Sequence, residues 1–167
     1  MTDPIEAIAL KLARKAKAWD DRITASDDDI AYYLAIEINF WGVVMISAAI
    51  GAVTGTLPGT IIAIFTLWIS RFYTGGAHAP TLSACFVFSI FVITVCSSMD
   101  MPNILLQLIN IINCGLLIWY NKRRLETGDQ GRIYIGIIIS ANALFLSSVV
   151  GSVILVQLLT LQGGDTK

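Results

Sequence analysis

A histidine and a cysteine stand seven residues apart in the segment Arg71-Phe72-Tyr73-Thr74-Gly75-Gly76-Ala77-His78-Ala79-Pro80-Thr81-Leu82-Ser83-Ala84-Cys85. Cysteine attacks as the thiolate, and a free thiol is only slightly ionised at neutral pH. An imidazole beside it takes the proton, and the resulting cation stabilises the thiolate. His78 and Cys85 therefore have the makings of a general base and a nucleophile. Seven residues at about 3.6 per turn would put both side chains on one face of a continuous helix. Pro80 suits the first turn of a helix, which places Cys85 about one and a half turns in. Gly75-Gly76 gives a backbone able to fold His78 back over that helix. A helix start also offers unsatisfied N–H groups and positive potential, which lower a thiol's pKa and can hold an oxyanion. Ser89 falls on the same face as Cys85, placed to orient the pair or contact a substrate, and Arg71 supplies a cation to the segment. The plain alternative is an interfacial polar histidine and a small packing cysteine. Cys96 and Cys114 lack such company and read as packing residues.

The elements that must position this pair are membrane helices. Of 167 residues, 56% are hydrophobic and 14% charged, and mean hydropathy is +0.73. A water-soluble domain is usually nearer a quarter charged. The charges come in blocks, with charge-free gaps from Ile38 to Ser70, Phe72 to Met99, Met101 to Asn121 and Ile133 to Gly164. A crossing needs about 20 apolar residues. Gly55-Thr56-Leu57-Pro58-Gly59 is a turn signal, dividing the first gap into crossings over about 38–55 and 58–72. Further crossings run over about 80–97 and 103–120. The last stretch, 133–161, reads as one long tilted helix, with Ser147, Ser148, Gly151 and Ser152 as the place for a break. The expectation is an all-α polytopic membrane protein with about five crossings, or six if that stretch divides. Lysine and arginine mark the cytoplasmic side. They precede the first crossing, follow the second at Arg71 and follow the fourth at Lys122–Arg132. The N-terminus is accordingly expected in the cytoplasm, and the His78/Cys85 segment at the cytoplasmic face.

Residues 1–30 form an interfacial segment ahead of a membrane domain over 31–167. They are too charged for a signal peptide. Asp3 is a good N-cap, Pro4 suits the first helical position, and Ile5, Ile8, Leu12 and Trp19 recur at helical spacing. That amphipathic stripe either lies among lipid headgroups or packs on the protein's own cytoplasmic side. Ser26-Asp27-Asp28-Asp29 reads as a second helix start, its carboxylates complementing the helix dipole. Gly51-xxx-Gly55 is a spacing that supports helix association, in a homodimer or within the chain.

Several classes are set aside. One histidine and three scattered cysteines do not make a zinc site, so no metal and no cofactor is expected. Gly75-Gly76 lacks the lysine of a phosphate-binding loop. The basic residues are accounted for by topology, so nucleic acid is not needed to explain them. Few ionisable groups lie within the apolar stretches, which argues against a proton-coupled transporter. A non-enzymatic scaffold or small transporter remains the alternative to an enzyme.

Arg71, Gly75, Gly76, His78, Ala79 and Cys85 together resemble the motif of the accessory gene regulator B (AgrB) family, membrane cysteine endopeptidases that process quorum-sensing propeptides. The layout of amphipathic start, apolar segments and basic loop is similar over most of the chain. The resemblance implies that Cys85 is the nucleophile, His78 the general base and residues 31–167 the peptidase domain. It implies a multi-pass location in a bacterial cell membrane. The substrate would be a short amphipathic propeptide on the cytoplasmic leaflet, cleaved near its C-terminus through an acyl-enzyme thioester. A cysteine or serine of the substrate would then capture that thioester as a thiolactone or lactone. Family members carry a proline-containing segment after the fourth crossing. Asn121–Gln130 has none and the C-terminus is short, which leaves the propeptide's identity and its cyclisation open.

Overall fold

The computed structural model of the chain describes residues 3–20, 22–74, 81–121 and 128–160. These form seven α-helices, α1 (Pro4–Trp19), α2 (Asp27–Thr54), α3 (Leu57–Thr74), α4 (Leu82–Ser97), α5 (Asn103–Asn121), α6 (Gly128–Phe145) and α7 (Ser148–Thr160). No strand occurs among the described residues. The chain divides into two compact units, Met1–Ile46 with His78–Ile90 and Ser47–Ala77 with Phe91–Lys167.

In the first unit, α1 starts as its sequence dictates. The Asp3 carboxylate accepts the Ile5 N–H at 2.8 Å, and Pro4 occupies a position whose N–H would have no helical partner anyway. The buried face of α1 is Ile5, Ala9 and Ala13. Ile5 and Ala9 pack with Ala35 of α2, among Ala31, Leu34, Ile38, Leu82 and Phe86. The expected stripe is therefore divided, because Ile8, Leu12 and Trp19 are exposed, Trp19 by 80%. Alanines let two helices approach closely, so the small residues face the protein and the large ones face away. The end of α1 meets the start of α2 through Asp27, 3.3 Å from Lys17 Nζ and 3.8 Å from Arg14 Nε. Ser26 accepts the Asp29 N–H at 3.1 Å and donates its hydroxyl to the Asp29 carboxylate at 2.6 Å, which makes Ser26 the N-cap of α2. The acidic run is thus a helix cap and an ion-pair partner. α2 begins well before residue 38, since Glu37 is accommodated by the Trp41 indole N–H at 3.0 Å.

The second unit opens where α2 ends. Gly55 has φ +75°, and the Thr56 N–H returns to the Gly51 carbonyl at 2.8 Å, a left-handed helix stop for which glycine is suited. A Cβ on Gly51 would fall on the Thr60 hydroxyl, so this glycine allows α3 to start close against α2. Gly51 and Gly55 are both used within the chain. Beyond them, α3 packs on α6 and α7, and α5 packs on the same two helices. Their core holds Ile135, Ile139, Ile154 and Leu158, with Leu116 and Leu117 against it.

The stretch 133–161 is two helices, not one. α6 stops at Phe145 and α7 starts at Ser148, with Leu146 between them at φ 50°. No glycine or proline announces this break. Asn142 makes it, accepting the Ser147 N–H at 3.0 Å while donating to Asn110 Oδ1 of α5 at 2.9 Å. Asn113 donates to the Gly151 carbonyl at 3.1 Å, and Ser148 donates to the Met99 carbonyl at 2.7 Å. The 13 residues of α7 rise about 20 Å, short of the roughly 30 Å of hydrocarbon in a bilayer. Among the described residues, α2, with 28 residues, is the helix long and apolar enough to cross a membrane. α3, α4 and α5 also carry exposed large apolar side chains, among them Phe65, Val87 and Ile111.

Two outcomes are expected. Asn142→Leu leaves the Ser147 N–H and the Asn110 carbonyl without their partner. It should lower stability in detergent by roughly 1–2 kcal/mol, read by circular dichroism on thermal unfolding; an unchanged curve would show that Asn142 does not hold the break. The second outcome concerns pH. The Asp3 carboxyl is held down at about 2, first by the Ser83 backbone N–H and then by the Ser83 hydroxyl and the Ile5 N–H, against the desolvation that raises it. A depressed carboxylate stabilises the fold above its ordinary value of 3.8 and ceases to do so as pH falls through about 2. Amide exchange in α1 should therefore quicken across that window, and in Asp3→Asn it should show no such step.

Candidate active site

Cys85 is the fourth residue of α4 and is half-buried. α4 starts at Leu82, directly after Thr81. The Thr81 hydroxyl accepts the Ala84 N–H at 3.1 Å, and its carbonyl accepts the Cys85 N–H at 3.1 Å. Cys85 therefore lies about one turn into the helix instead of one and a half. Pro80, Gly75, Gly76 and His78 lie outside the described residues.

The N–H groups of this turn have partners. Ser83 donates its backbone N–H to Asp3 Oδ2 and its hydroxyl to Asp3 Oδ1, both at 2.8 Å. With Ala84 and Cys85 bonded to Thr81, three amides expected to be open to an oxyanion are committed. Asp3 also brings negative charge to the end of the helix whose positive potential would assist a thiolate. The amides expected to be open at this helix start are thus taken by Asp3 and Thr81.

Other contacts fix Cys85 from either side along the chain. Ser89 is buried, and its hydroxyl donates to the Cys85 carbonyl at 2.8 Å, a bond to the helix backbone one turn back. Phe86 lies against Gly42 of α2, where a Cβ would come within 2.6 Å of the ring. A larger residue at position 42 would require the Phe86 ring to shift. Beside the helix start is a cleft of about 510 Å³. Leu10, Ala35 and Leu82 line it with apolar surface, and Glu6, Lys11, Arg14 and Asp28 with charges of both signs.

Arg71 belongs to the second unit, in the last turn of α3. That turn is held to α6 by Tyr73, stacked on Tyr134 at 4.2 Å between ring centroids. Cys96 is buried and Cys114 exposed, so only the first is enclosed as a packing residue. Asp3, Thr81 and Ser83 escaped the sequence reading as parts of this site. Thr81 carried a usable signal, a hydroxyl residue just ahead of an apolar run. The reach of Asp3 to a residue 80 positions away carried none.

The sequence pattern described as accessory gene regulator B matches residues 5–122. A protein of Halalkalibacterium halodurans described as AgrB-like is 27% identical over 115 residues, 69% of this chain and 58% of its own length. The chain thus matches less than two thirds of that relative. No solved structure matches. The match takes in the whole turn around Cys85 and the segment that carries His78, and the chain belongs to the accessory gene regulator B family.

Proposed function

We propose that this protein is a membrane cysteine endopeptidase that processes a short quorum-sensing propeptide, with Cys85 as nucleophile and His78 as general base. The observation that carries the reading is the placement of Cys85. It is a half-buried thiol in the first turn of a helix braced by Asp3, Thr81 and Ser89, inside the family match.

The chemistry follows from the two side chains. His78 takes the thiol proton, and the thiolate adds to the carbonyl carbon of the scissile peptide bond. The tetrahedral species collapses as the leaving amine receives that proton from the imidazolium, leaving an acyl thioester on Cys85. A cysteine or serine of the propeptide displaces Cys85 from the thioester and closes a thiolactone or lactone ring. The committed amides of the α4 start direct the oxyanion to other donors.

The same reading places residues 1–30 at the cytoplasmic surface and 31–167 in a bacterial cell membrane as a multi-pass peptidase domain. The exposed apolar side chains of α2 to α5 and the positions of lysine and arginine support it. An amphipathic propeptide on the cytoplasmic leaflet would meet Cys85 from the headgroup region.

The test is co-expression with the propeptide of a short reading frame adjacent to this gene, tagged at its C-terminus. Cys85→Ala and His78→Ala should each abolish release of the tag with insertion unchanged. Release by either variant would sink the proposal and favour a scaffold. In a Cys114→Ala background, a thiol reagent should label Cys85 faster than Cys96.

A further inference from the structure

Asp3 is 6% exposed, and a buried carboxylate is tolerated where donors surround it. Its donors come from two helix starts. Oδ1 accepts the Ile5 N–H of α1 and the Ser83 hydroxyl, and Oδ2 accepts the Ser83 N–H, each at 2.8 Å. One side chain therefore closes the N-terminus of α1 and the N-terminus of the helix that bears Cys85. Ser83 is two residues before Cys85, about 3 Å along a rigid helix axis. Whatever fixes Ser83 fixes the thiol.

We propose that Asp3 is a positioning residue for Cys85: a single carboxylate that caps α1 and clasps Ser83 sets the first turn of α4, and so the seat of the nucleophile. The proposal rests on the reading of Cys85 as nucleophile given above. It extends that reading to a residue just ahead of the family match, which begins at residue 5. It also gives α1 a part in the chemistry, because the helix cannot leave its place without releasing Ser83.

The geometry supplies a discriminating variant. An asparagine side chain has one carbonyl oxygen and one NH2 group. In Asp3→Asn, either orientation turns the NH2 toward a backbone N–H, that of Ser83 or that of Ile5. With the oxygen on Ile5, α1 keeps an N-cap as good as aspartate, the Ser83 hydroxyl keeps its acceptor, and only the Ser83 N–H arm of the clasp is lost. Ser83→Ala removes the hydroxyl arm alone and leaves the N–H bond.

The experiment uses the full chain in lipid vesicles and a synthetic propeptide from the adjacent reading frame, with kcat and KM measured separately. Asp3→Asn should lower kcat by about tenfold to a hundredfold, the scale of a misplaced reacting group, with KM within about twofold. Ser83→Ala should give a smaller fall in kcat, and the double variant, which loses both arms of the clasp, should fall further than either single variant with KM still within about twofold. The rate of Cys85 alkylation by N-ethylmaleimide, in a Cys96→Ala/Cys114→Ala background, should change in the same variants. An unchanged kcat and alkylation rate, or a rise in KM alone, would overturn the proposal. Should Asp3→Asn fail to insert, Ser83→Ala decides it by the same kcat and KM criterion. Cleavage persisting in Cys85→Ala would instead remove the nucleophile reading, and the alkylation rate would still report on the clasp.

Discussion

Backbone N–H and C=O groups at helix ends need partners, and in apolar surroundings water cannot supply them. Both units are organised around that need. In the first, Asp3 serves the starts of α1 and α4 together, and Ser26 with Asp29 serves α2. In the second, Asn142 takes up the Ser147 N–H exposed by the break between α6 and α7. Its other end is anchored on Asn110. Each polar side chain is placed where the backbone has lost a bond, and each ties that place to a second helix. The polar residues within these helices thus set where the helices begin and which neighbours they keep.

The same surroundings decide which apolar residues turn inward. When the outer medium is itself apolar, large side chains gain little by leaving it, and close approach of helices is what stabilises. α1 buries Ala9 and Ala13 while Ile8, Leu12 and Trp19 stay outside. α2 presents Gly42 to Phe86 and Gly51 to Thr60, while Met45 and Val53 face away, Val53 by 89%. Gly151 lies within reach of Asn142 and Ile109. Small residues therefore mark the contacts, including the one that seats the helix of Cys85.

This accounts for what could be read from the sequence and what could not. Charge gaps and the turn at Gly55 located α3, α4 and α5 to within a few residues, because those signals are local. The stripe of α1 was left open between lipid and protein, and the structure divides it, burying Ile5 while Ile8, Leu12 and Trp19 stay exposed. The break near Ser147 was marked as a place where the last stretch could divide, but one long helix was preferred, because what makes the break depends on Asn142 and Asn110, 32 positions apart, and not on a glycine or proline. At the site, the spacing of His78 and Cys85 was legible, as was the cap that Asp3 places on α1. Its second role was not, since nothing in residues 1–30 announces a hydrogen bond to Ser83. The committed amides of α4 were missed for the same reason: a helix start looks open until its distant partner is known.

That partner alters how the thiol must be activated. A carboxyl held at about 2 is ionised at any pH at which a cell lives, so Asp3 is a permanent negative charge at the start of α4. Helix starts assist thiolates through partial positive charge on their free N–H groups. Here those groups are bonded and a full opposite charge stands among them. In the proposed reading the helix supplies position, and activation is left to the imidazole of His78. In such a site the histidine is both proton acceptor and the source of the cation that makes the thiolate stable. In that reading the positioning of Cys85, by Asp3 through Ser83, and its activation, by His78, are separate tasks.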